Sequence, residues 1–115
     1  MSVRIWKVDR EQVWAGLERW LREVIEPASE VQEVWLFGSY ARGEEWPGSD
    51  VDLLVVVREA QEPFTDRALR YTPPRLGLPM EIFVYTEDEV RDLSQQPGSL
   101  VWIAMREGRK IWQRS

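Results

Sequence analysis

The 115-residue chain contains no cysteine and no histidine. Without histidine there is no imidazole base near neutral pH and no serine–histidine or cysteine–histidine nucleophile pair. Without either residue there is no zinc finger, haem site or disulfide frame. Long apolar runs are also missing. The longest, Leu100 to Met105, is far too short to span a bilayer. A basic footprint is absent as well: residues 1–57 carry 11 acids and 6 bases, residues 58–115 carry 9 of each, and the net charge is −5. Nucleic acid and membrane are therefore not the expected partners, and a soluble cytoplasmic protein is expected. The catalytic groups left are carboxylates, hydroxyls, arginines, two lysines and the backbone. Any metal would be hard and oxygen-ligated, magnesium or manganese.

A chain of this length buries enough surface for one core, so residues 1–115 are expected to form a single domain. Val13, Trp14, Leu17, Trp20, Leu21, Val24 and Ile25 recur at three- and four-residue intervals, which predicts a helix over about 10–25 with Asp9 as N-cap. Val34 to Phe37, Asp50 to Val57, Met80 to Tyr85 and Arg109 to Gln113 read as strands. The apolar residues Leu53 to Val57 place the second of these at the centre of a sheet. A short turn or helix is expected at 39–42 and a helix at 64–71, and Thr86 with Glu89 makes a capping box for a helix reaching about Leu93. Ser99 to Arg106 shows no period and is equally a helix or a buried strand. The fold class is α/β (α+β): a small mixed sheet flanked by helices.

The informative stretch is FGSYARGEEWPGSDVDLLVVV, residues 37–57. Asp50 and Asp52, two apart at the mouth of a strand, point to one face about 6 to 7 Å apart at their Cα atoms. Carboxylates that close repel unless a cation lies between them. Gly38 and Ser39 follow a strand and open a helical turn, where free amides and a hydroxyl can cradle phosphate oxygens. A phosphate cradle beside a carboxylate pair is the equipment of phosphoryl or nucleotidyl transfer.

Gly38, Ser39, ten residues, then Asp50 and Asp52 resemble the GS-x10-DxD signature of the DNA polymerase β-type nucleotidyltransferases, and GSYARGEEWPGSDVDLLVVV is similar to their minimal nucleotidyltransferase branch. Four residues at set spacing arise by chance in about one chain in a thousand of this length. The resemblance implies a polymerase β-like core in which Asp50 and Asp52 bind magnesium, two ions in all with manganese as an alternative. It implies that Gly38 and Ser39 hold the triphosphate of ATP, with Arg42 one turn on. A third acid completes such sites, usually aspartate. Glu81 holds the matching position here as general base, metal ligand or both. A stand-alone core of this size resembles the antitoxin half of two-component systems whose partner is a HEPN-domain ribonuclease toxin, which implies AMP transfer from ATP to a toxin tyrosine. The alternatives are nucleotidyl transfer to a small molecule such as an aminoglycoside, and a non-catalytic antitoxin that blocks its partner by binding. A homo-oligomer and a hetero-complex are both compatible with the chain.

The bland reading of Arg42 is a surface pair with Glu44 or Glu45. Trp14, Trp20, Trp35, Trp102 and Trp112 are expected in packing, whereas Trp46 precedes the aspartates and is a candidate for base stacking or an ordinary loop anchor. Arg67, Arg70 and Arg75 are expected on a solvated helix face, with a basic rim opposite the acids as the sharper option.

Overall fold

The apolar stripe of the first segment winds into α1, Arg10–Trp20, and its last turn widens into a π-helical turn over Leu21–Ile25. In this computed structural model, which describes residues 10–44, 49–73 and 79–115, Glu26 N donates to Leu21 O at 2.8 Å and closes that turn. Asp9, Glu45, Trp46 and Arg75, named above, lie outside the described residues. The other elements are β1 (Val31–Phe37), α2 (Ser39–Arg42), β2 (Val51–Val57), α3 (Phe64–Arg67) running into a 3-10 turn at Ala68–Tyr71, β3 (Met80–Thr86), α4 (Glu87–Leu93), α5 (Leu100–Glu107) and β4 (Arg109–Gln113).

The sheet is mixed, in the order β3-β2-β1-β4. β1 runs antiparallel to β2 and β4, and β2 runs parallel to β3. β2 is central, as its unbroken apolar run predicts, and both its faces are covered. Leu53 and Val55 join Leu17, Trp20, Ile25, Val34, Leu36 and Val84 in one core. Leu54 and Val56 join Phe37, Val101 and Ala104 in a second core on the other face. The alternation of a strand thus sorts neighbouring residues between two layers of helices.

The ambiguous segment 99–106 is a helix. Ser99 Oγ accepts from Trp102 N at 3.1 Å, so the N-cap decides what the aperiodic apolar run leaves open. Thr86 and Glu89 form the expected capping box, with Thr86 N donating to Glu89 Oε1 at 2.8 Å. Segment 64–71 is less regular than the single helix expected, because the chain tightens to a 3-10 turn before Thr72 and Pro73. Strand β1 begins three residues before Val34, at Val31, and β2 begins at Val51, so Asp50 lies just outside the strand.

Trp20 is fully buried, and its Nε1 donates to Tyr71 O at 2.8 Å. Trp14, Trp35, Trp102 and Trp112 are half-buried, and each ring carries a cation: Arg109, Lys110, Arg106 and Arg114 respectively. These tryptophans are packing residues, as expected. No helix among the described residues is long and apolar enough to cross a membrane.

Candidate active site

β1 ends at Phe37, directly opposite Asp52 of β2, and Asp52 in turn neighbours Glu81 in the parallel β2–β3 register. Three strands therefore bring the Gly38 backbone, Asp52 and Glu81 to one end of the sheet. Parity does the rest. Asp52 and Glu81 share the face of Leu54 and Phe83, so both carboxylates project beyond the α5-covered core.

Gly38 has φ 76° and ψ −154°, a region essentially reserved for glycine. A Cβ there would also overlap the Asp52 carboxylate. The backbone at Gly38 thus lies directly against Asp52. Ser39 opens α2, and Gly43, with φ 72°, closes it.

Asp52 is half-buried and its carboxyl is pushed up to about 6, first by loss of solvation, then by the charges of Glu81 and Asp50 and by a hydrogen bond with Glu81; Arg42 acts in the opposite direction. Asp50, just before β2, and Glu81 are exposed. These carboxylates concentrate negative charge that a cation would relieve. Among the described residues, no group of three or more acidic side chains already stands in metal-ligating positions. The fit to a metal therefore rests on the donor chemistry and the Asp52–Glu81 pair, which suit a hard divalent ion.

Arg42 is the last residue of α2, and its Nε contacts Glu44 Oε2 at 3.1 Å while its Nη1 lies 3.5 Å from Glu107 Oε2. The surface pairing with Glu44 is thus present, yet the guanidinium still acts on Asp52. Glu107, at the end of α5, is absent from the sequence reading because no local spacing links residues 65 apart. The only hint is Gly108, where a Cβ would overlap Ala104 O and Leu36 O. Arg67 and Arg70 form no rim: Arg67 binds Glu89 at 2.7 Å together with the carbonyls of Glu62 and Val84, and Arg70 binds Glu62 at 2.7 Å. A cavity of about 300 Å³ lined by Glu30, Glu62 and Arg70 lies past the other end of β2, remote from Asp52.

The model of the nucleotidyltransferase domain family matches residues 17–107, which include all six candidate residues. No curated protein matches the chain in sequence. A solved structure from Sulfolobus solfataricus, described as a nucleotidyltransferase, is similar in fold at a TM-score of 0.57 and 20% identity, covering 93% of this chain and 91% of that one. A toxin–antitoxin structure with AMP-PNP is similar at a TM-score of 0.52 and 19% identity, covering 88% of this chain and 73% of that one. Together with the sheet end built by Gly38, Asp52 and Glu81, the match over most of its length shows that this chain belongs to the nucleotidyltransferase domain family.

Proposed function

We propose that this protein is a magnesium-dependent adenylyltransferase of the cytoplasm that acts as an antitoxin, transferring AMP from ATP to a tyrosine of a HEPN-domain toxin. The observation that carries this reading is the close approach of the Gly38 backbone to Asp52, with Glu81 as Asp52's partner on the next strand. A site for an anionic tail and a site for a cation are thereby side by side. The acidic balance of the chain accords with a protein acceptor rather than nucleic acid. The fold it shares with a toxin–antitoxin structure holding AMP-PNP supports the same assignment.

Asp50, Asp52 and Glu81 would hold the metal, which when bound supplies charge neutralisation on the phosphates and alignment of the acceptor oxygen. Gly38 and Ser39 orient the triphosphate through backbone amides and a hydroxyl. With no histidine in the chain, removal of the acceptor's proton falls to a carboxylate or to metal activation of the acceptor hydroxyl. Glu81, exposed at the start of β3, is our candidate for that carboxylate. The acceptor oxygen bonds to the α-phosphorus, the bond from that phosphorus to the bridging oxygen breaks, and pyrophosphate leaves.

Co-purifying the partner and incubating the complex with ATP and magnesium tests the acceptor. An AMP mass increment on a partner tyrosine is expected. If the partner stays unmodified while Asp50→Asn with Asp52→Asn still neutralises it at the wild-type dose, neutralisation is by binding alone.

A further inference from the structure

We infer that Glu107 is a positioning residue for nucleotide binding, acting through Arg42. The inference rests on the nucleotide reading above. Arg42 ends α2, on the face where Tyr40 and Ala41 pack against the α1-side core, whereas Glu107 ends α5 on the opposite face. Their ion pair, 3.5 Å long, therefore reaches around the end of β1 beside Gly38.

Both partners are anchored there by backbone rather than by the pair itself. Arg42 N donates to Gly38 O at 3.2 Å. Gly108 N donates to Ala104 O at 2.8 Å, and Gly108 packs so closely on Leu36 O and Phe37 that no side chain fits. The end of α5 is thus pressed against the last two residues of β1. The ion pair is not what holds α5 in place, because Val101 and Ala104 are fully buried. Its side chains are 42% and 45% exposed, and a pair so open to water adds little to stability.

What the pair does fix is the direction of the guanidinium. Arginine is a long side chain whose freedom is lost when it grips an anion, and ordering it beforehand lowers that cost. Glu44 takes Nε and Glu107 takes Nη1, which leaves donors of the five-donor fork for phosphate oxygens. Arg42 is therefore held at the end of β1, beside Gly38, before any nucleotide arrives.

The test is a double-mutant cycle on the full chain, reading the dissociation constant of ATP with magnesium and the melting temperature for wild type, Glu107→Gln, Arg42→Gln and the double variant. Glu107→Gln should weaken binding about 3- to 10-fold with melting unchanged, and the double variant should bind no more weakly than Arg42→Gln alone. Wild-type affinity in Glu107→Gln, or fully additive losses in the double variant, overturns the positioning role. If wild type itself binds no ATP, the nucleotide reading falls and takes this inference with it, a result distinct from binding that ignores position 107.

Discussion

Gly38 meets two demands at once, a backbone conformation that side chains avoid and a contact with Asp52 that leaves no room for a Cβ. Gly38→Ala should therefore cost about 1 to 3 kcal/mol in denaturant unfolding and displace Asp52, with ATP affinity falling further than stability. Asp52 has the opposite cost, since its carboxyl is held up to about 6 against an ordinary 3.8. A carboxylic acid raised in this way binds its proton more tightly folded than unfolded. The stability it contributes is present below about pH 4 and is lost as pH rises through about 6. In metal-free protein, Asp52→Asn should remove that slope and raise stability at pH 8 by about 1 kcal/mol, after discounting the shift for solvent screening. Urea unfolding across pH 4 to 8 checks this, and a variant no more stable than wild type at pH 8 would refute the raised Asp52 carboxyl, whose first cause is burial. At this scale much was legible: Gly38, Ser39, Asp50 and Asp52 announce themselves by spacing. Glu81 is named only through the family resemblance, and Glu107 has no local sign beyond the neighbouring Gly108, since its relation to Arg42 exists only once α5 and β1 are packed.

Among the elements, the most consequential tie comes from the last residues of the chain. Arg114 donates to the carbonyls of Val31 at 2.7 Å, Ala28 at 2.9 Å, Glu26 at 3.2 Å and Ile25 at 3.3 Å. It thereby satisfies backbone acceptors around the π-helical turn and the entry to β1. Arg114→Ala should destabilise the fold by about 2 kcal/mol in chemical denaturation, because charged hydrogen bonds to part-buried carbonyls are lost without replacement. Ser99→Ala should cost about 1 kcal/mol by removing the cap of α5. Capping was readable for α4 from Thr86 and Glu89. For α5 the run of six apolar residues concealed the period, since both its core-facing and half-buried positions are apolar. The irregular 64–71 segment was read as one helix because nothing in its residues marks where an α turn gives way to a 3-10 turn.

For the molecule as a whole, two helix layers enclose one mixed sheet, and the carboxylates emerge where three strands end together. Strand order could not be read from composition; β2 alone declared its central place through its unbroken apolar run. The fully buried Trp20 joins the α1 layer to Tyr71, whose hydroxyl donates to Glu30 at 2.6 Å. Burial alone would push Glu30 up, but that hydrogen bond, with its own backbone and the charges of Arg70 and Arg114, brings it below its ordinary value. Trp20→Ala should cost about 3 to 5 kcal/mol and lower the melting temperature without altering the candidate site. On the proposed reading, the missing imidazole leaves proton removal to a carboxylate or to metal activation of the acceptor hydroxyl. The most direct measurement is label transfer to the co-purified partner from ATP labelled at either the α- or the γ-phosphorus, by wild type and by Asp50→Asn with Asp52→Asn. Transfer of the α-label alone, abolished in the double variant, is the predicted result; γ-label transfer, no transfer, or transfer undiminished by the double substitution would contradict the account.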